Sequence, residues 1–440
     1  MDKTNETPAG EPAPVLRSER VALTNEWHAR PNVSLAAPFR CTHTVSLRHG
    51  QSPEQCRQEV ADFCSEHGQS QPAAGSRYHL IEVGSCLIKW ESHTEATSHT
   101  VLVPGNGQPP FSESAIDFLA QEKRQNLIER MFVGVQVEVV NTVEEDDPQG
   151  YGRAQSLLGA SAIYGGWMAG GLAAVWSSFR LDSRGFVRLV IVDLGISEER
   201  LARLLQRLLD METYRMLAMK ALPAARDVMS ALQELEPQLD AVMRSLATHN
   251  DEEAKAQALS QITGIAARVE QLASSHASRF AGARAYASIV ERRADEVSEE
   301  VLVNHQRYTS FLLRALQPAM RTCDAAERRT HELAQRVSRA ANLLRTMVDM
   351  EQSRQSRGIL ESMAEQGKLQ LRLQQAVEGF SIFAISYYAV GMVKYMFDAA
   401  GVAGLGVSSK LLTGIAAPLI FAVVWLSVRA VRRRLVERGE

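Results

Sequence analysis

A chain of 440 residues is too long for one ordinary domain, so two or three folded units are expected. A formal net charge of −3, with 45% apolar and 22% charged residues, excludes both a largely disordered chain and the chain-wide basic character of a nucleic-acid binder. Five cysteines without CxxC spacing exclude a disulfide scaffold and suit a reducing compartment.

In chain order, residues 1–18 are polar and proline-rich, read as a disordered tail, and contain no apolar run that would make a signal peptide. Residues 19–195 read as one α/β cytoplasmic unit. Strands are predicted over Thr42–Leu47, Tyr78–Trp90 and Met131–Val140, and helices near 53–66 and 112–130; Glu144–Gly150 reads as an acidic turn. The segment Ala154–Phe179 carries no charge over 26 residues. Length alone would let it span a membrane, but it holds five glycines and runs into a hairpin pattern with Asp182-Ser183-Arg184-Gly185 as its turn. It is therefore predicted to be a small-residue helix packed against a sheet or another subunit, with a third membrane span as the alternative. Arg180, Asp182 and Arg188 beside that turn read as a salt-bridged surface.

Residues 196–376 read as a helical bundle and stalk. Ser197 is a candidate N-cap, Pro223 interrupts the first helix, and a second helix reaches about Thr248. A third is predicted to run to about Leu316, with Pro318 as a kink or restart before the last helix. Apolar positions alternate by four and three at Ile262-Ile265-Val269-Leu272, at Leu333-Val337-Ala340-Leu344-Met347 and at Leu369-Leu373-Ala376-Phe380, which marks helices packing on helices.

Residues 377–440 read as a transmembrane hairpin with a basic tail. Gly379–Phe397 holds one charge, Lys394, over 19 residues, and Leu411–Val428 holds none over 18. Each is long enough to cross a hydrocarbon core of about 30 Å as a helix. Five arginines follow the second segment, which places the tail, and with it the large N-terminal part, on the cytoplasmic side.

Two groups of residues carry candidate chemistry. If Lys89–Glu95 continues a strand, Glu91, His93 and Glu95 share one face, and Glu26 and His28 do the same near the N-terminus; such carboxylates and imidazoles would take a divalent metal ion. The bland reading of both is a solvated strand face. In the first apolar segment Ser381, Ile385, Tyr388 and Met392 lie on one helical side, and Lys394 follows; an oligomer could line a pore with them, or use the hydroxyls between helices. No P-loop, GxSxG elbow or spaced Cys/His zinc pattern is present.

Six stretches in order resemble one bacterial family of predicted membrane-anchored proteins, the domain of unknown function 3422 family: NEWHARP from Asn25, KWESHTE from Lys89, FRLDSRGFVRL from Phe179, METYRMLAM from Met211, LLRTMVDM from Leu343, and the run from Leu369 to Met392. The resemblance implies membrane anchoring and no particular activity. The layout is also similar to that of the CorA-type divalent-cation channels, which implies a homo-oligomer with the first span central. Their Gly-Met-Asn signature is met here only by Gly391-Met392, with Val393 in place of asparagine. Three functions follow as expectations: a homo-oligomeric inner-membrane protein that passes or senses ions, a membrane-anchored scaffold without transport, and a metal-dependent enzyme of the N-terminal unit. Membrane lipid and further copies of the chain are the expected partners, and no enzymatic activity is the leading expectation.

Overall fold

A computed structural model describes residues 20, 33, 36–48, 50–107, 109–141, 147, 149–249, 251–402 and 409–436. The expected tail at 1–18, together with Glu26 and His28, lies outside the described residues. The chain divides into two compact units, Met1–Ala340 and Ala341–Glu440.

The first unit is built on one eight-stranded sheet of order β2-β3-β4-β1-β5-β8-β7-β6. Its strands are β1 (Phe39–Leu47), β2 (Tyr78–Val83), β3 (Cys86–Ser92), β4 (Ala96–Pro104), β5 (Met131–Val140), β6 (Tyr164–Met168), β7 (Ala173–Leu181) and β8 (Val187–Asp193). Every neighbouring pair is antiparallel except β5 and β8, which run parallel. Helix α1 (Pro53–Glu66) starts on a capping box in which Ser52 and Gln55 exchange hydrogen bonds. With α2 (Gln121–Glu129) it covers one sheet face, where Ile81, Ile88, Trp90 and Val101 form a core with Val60 and Cys64. Helix α3 (Tyr151–Leu158) sits on that face beside Trp176. The opposite face is covered by α4 (Glu198–Met219) and α6 (Glu252–Glu296), with α5 (Ala221–Thr248) between them in sequence. Strand β1 lies in the middle and is buried on both sides, although Thr42, His43, Thr44 and Ser46 are polar. Thr42 shares a hydrogen bond with Ser114 and accepts one from the Ala115 amide, each 2.8 Å long.

Two predictions are corrected here. The uncharged run from Ala154 is not one helix: it ends α3, then forms β6, a turn and β7. Through Trp176 these strands are apolar and mostly buried, so the run carries no polar alternation that would mark it as strand, and only the end of β7, Ser178 to Leu181, runs out toward exposure. The glycines serve the sheet. A Cβ on Gly165 would stand 1.8 Å from the Val175 carbonyl oxygen, and Gly170 and Gly171 turn the hairpin with φ of 71° and 79°.

The third helix also stops earlier than its pattern suggests, at Glu296, and the next begins at Tyr308 as the 95-residue α7 (Tyr308–Val402), with Pro318 inside it. Long-range bonds decide this break. The intervening loop pairs with the sheet edge through Ala169 N to Val297 O, Glu300 N to Trp167 O and Gly165 N to Gln306 O. Glu299 then accepts from the amides of Tyr308 and Thr309 and from the Thr309 hydroxyl, at 2.6, 2.9 and 2.6 Å, and so caps α7. The first two apolar seams are largely buried, Ile262, Ile265, Val269, Leu333, Val337 and Ala340 among them, whereas Leu369, Leu373 and Phe380 of the third are exposed.

In the second unit α7 is followed by α8 (Ser409–Val436). Both helices are long and apolar enough to cross a membrane, with 18-residue windows of mean hydropathy 1.4 and 1.8. Phe383 and Phe421 meet at 5.6 Å and Ser386 is buried.

Candidate functional site

Strand β3 ends at Ser92, so only Glu91 of the three predicted ligands lies in a strand; His93 and Glu95 belong to the β3–β4 hairpin turn, closed by His93 N to Ala96 O. Glu91 pairs with Lys89 two residues earlier on the same sheet face, Oε2 to Nζ 2.9 Å. His93 sits with Nε2 3.1 Å from the Ser98 hydroxyl and Nδ1 3.3 Å from the Tyr214 hydroxyl. Glu95 is gripped by Arg279 at 2.7 and 2.9 Å, by Lys220 at 3.4 Å and by the Tyr286 hydroxyl. Burial pushes its carboxyl up, but these three donors outweigh that and hold it below the usual range. The turn is thereby fastened to α4, to Lys220 at its end, and to α6. Such a set does not fit a divalent metal, because each carboxylate already answers a cation. Among the described residues no three His, Cys, Asp or Glu side chains are grouped to hold one.

What the hairpin does enclose is a cavity of about 460 Å3 between β3, β4, α4 and α6. Its wall is a relay of side chains. Lys89 donates to Gln206 at 2.6 Å, Gln206 to Asp210 at 2.6 Å, and Arg293 to both Asp210 at 3.0 Å and Glu296 at 2.7 Å. Arg207 closes it on Glu296 at 3.1 Å. Burial raises the Asp210 carboxyl, opposed by Arg293 and Gln206. Three basic side chains (Lys89, Arg292, Arg293) face three acidic ones (Glu91, Asp210, Glu296), so the charges of the wall balance. Behind the wall His43 bridges Thr100 at 2.8 Å and Thr213 at 2.9 Å. Burial first, then the neighbouring His93, Lys89 and His99, push its pKa down to about 3, so the ring is neutral at physiological pH.

Sequence reasoning missed Lys89, Gln206, Asp210 and Arg293, since nothing in a single strand or helix pattern indicates that they converge. The run METYRMLAM did carry a signal. A family model described as protein of unknown function (DUF3422) matches residues 17–435. The chain belongs to the DUF3422 family. Curated proteins give no match to it.

In this DUF3422 chain the METYR residues occupy successive sides of α4, about 100° apart, and Glu212, Thr213 and Tyr214 each reach a different element. Glu212 accepts from the Tyr308 hydroxyl at 2.7 Å and from Arg215 at 2.5 Å, Thr213 holds His43, and Tyr214 touches His93 and stacks on Tyr286 with ring centres 5.6 Å apart. Arg180 is exposed, while Arg188 pairs with Asp182 at 3.0 Å.

The predicted residues of the first apolar segment separate by side. Ser381, Ile385, Tyr388, Met392 and Lys394 are exposed, and Ser386 is turned inward. The Ser381 hydroxyl is spent on the Val377 carbonyl at 2.9 Å.

Proposed function

We propose that the DUF3422 chain is a membrane-anchored, self-associating scaffold of the bacterial inner membrane. It crosses the bilayer twice, with both termini cytoplasmic, and presents the sheet unit to cytoplasmic partners. The observation that carries this reading is the pair of apolar helices whose side chains stand exposed, Phe380, Tyr388, Met392, Leu419 and Val423 among them; water would penalise that surface at about 25 cal/mol per Å2 and lipid would not. The reading assigns the chain no reaction. A cytoplasm-active reporter fused after Glu440 is expected to be active and one inserted near Leu405 silent. The reverse pattern, or a chain recovered wholly in the soluble fraction, overturns it.

One observation favours a second reading, passage or sensing of ions by a homo-oligomer of CorA-like layout. Ser381, Ile385, Tyr388 and Met392 are all exposed, on the side of α7 away from the buried Ser386, so this side is free to meet other copies. Against it, Ser381 is bonded to its own backbone and Ser386 is turned inward, which leaves few hydroxyls to line a wet path.

A further inference from the structure

A second cavity, of about 340 Å3, lies on the other sheet face between the strands and helices α1 and α2. Its size falls in the range of small-molecule sites. Its floor is Ile88, Trp90 and Val101, and its walls are Val60 and Phe63 of α1 and Leu127 of α2. Three polar side chains interrupt the floor: Ser46 of β1, its cross-strand partner Thr97, and His99 two residues along β4.

The charged residues at the rim are already committed. Lys123 pairs with Glu66 and lies 4.8 Å from the centre of the Phe63 ring, while Arg130 pairs with Glu59 at 3.4 Å and also donates to Gln51. A carboxylate would have to break these pairs. His99 differs: its Nδ1 is buried and, among the described residues, has no hydrogen-bond partner. A buried imidazole nitrogen left so costs free energy that a ligand hydroxyl would recover. The ring is held neutral, with its pKa pushed down to about 4 by burial, against Glu59 and with Arg130, so it offers a hydrogen bond without charge.

We propose that this cavity binds a small uncharged aromatic alcohol of the phenol class, its ring against Trp90 and Phe63 and its hydroxyl on His99. An aromatic ring matches the aromatic and aliphatic walls, and one hydroxyl matches the neutral polar floor. The site is independent of the membrane role proposed above.

The test uses the full chain in lipid nanodiscs, titrated with p-cresol, toluene and p-toluate by saturation-transfer NMR and calorimetry, with protein-free nanodiscs as the blank. Saturable p-cresol binding is expected, at least fivefold tighter than toluene or p-toluate. Leu127→Trp, which fills the cavity, should abolish it. His99→Leu should weaken it at least fivefold, and His99→Gln, which keeps a donor and an acceptor, should retain most of it. Should Leu127→Trp unfold the unit, the two His99 variants decide. Absence of a saturable signal above the blank, equal binding to His99→Leu and His99→Gln, or tighter binding of p-toluate overturns the proposal.

Discussion

His43 shows how a polar residue is accommodated in a central strand. Both ring nitrogens are bonded, to Thr100 and Thr213, and burial keeps the ring neutral. Its folded pKa of about 3 lies below the ordinary histidine value of 6.5, so between these values the unfolded chain binds the extra proton. The stabilisation is therefore complete above pH 6.5 and is lost as the pH falls toward 3, by about 1.4 kcal/mol per pH unit. Asp210, Glu138 and Glu299, whose carboxyls burial raises, contribute with the opposite sign, so the comparison must be between variants. Urea titrations of the chain and of His43→Gln from pH 6 to pH 5 should show a loss of stability in the parent that the variant lacks; parallel slopes would show His43 to be protonated when folded. Glu212 provides a second test, since it is fully buried and serves both Tyr308 and Arg215. Removing it leaves a guanidinium largely out of water without its counter-charge. Glu212→Ala should cost about 3 kcal/mol in urea unfolding, and Tyr308→Phe, which removes only one hydrogen bond to a charged group, about 2 kcal/mol.

Glycine position decides the fate of whole elements. Gly165 lets β6 approach Val175 more closely than any Cβ would permit, while Gly264 in α6 has nothing within 4 Å. The same substitution should therefore act in opposite directions. Gly165→Ala should prevent the β6–β7 pairing and lower the melting temperature and the yield of folded chain. Gly264→Ala should raise stability by about 0.5–1 kcal/mol, the helix-propensity difference between the two residues. Similar effects of the two on thermal melting would contradict the strand assignment at 164–168. The break before α7 is also an element-scale decision, made by Glu299, which binds the first amides of the helix from nine and ten residues upstream. No cap pattern in the sequence announces it.

For the molecule as a whole, the sheet unit and the apolar helices raise separate questions. In the sheet unit, contacts between residues far apart in sequence, such as Glu95 with Arg279 over 184 positions, tie the hairpin to the helical layer. In the apolar helices, single cysteines separate a scaffold from a passage. The scaffold reading expects cysteines at Ser381, Ile385, Tyr388 and Met392 to be as dry as those at Ser386 and Val390. Labelling by a small water-soluble thiol reagent at the first four positions but not at the last two would replace it with the ion-passage reading. Exchange of Arg429, Arg432, Arg433 and Arg434 for Ala should weaken retention of the tail on the cytoplasmic side, measured by the same reporter fused after Glu440; an unchanged reporter would remove these arginines as the orienting signal.

Features that depend on near neighbours could be read along the chain. Short β-like runs marked β1 and β5, apolar seams marked stretches of α6 and α7, Asp182-Ser183-Arg184-Gly185 marked the β7–β8 turn, and length with apolarity marked the two C-terminal helices. The sequence also singled out Glu91, His93 and Glu95 as one strand face, whereas only Glu91 lies in β3, and His93 and Glu95 sit in the turn, bound by Tyr214, Arg279 and Lys220 from far along the chain. That the glycine-rich run forms strands, that α6 ends at Glu296, and that cavities lie on both faces of one sheet follow from contacts across the fold. The physical reason is the same in each case. Burial on both faces erases the period by which a strand is recognised, and a backbone or charged group that finds its partner more than a hundred residues away leaves no local pattern.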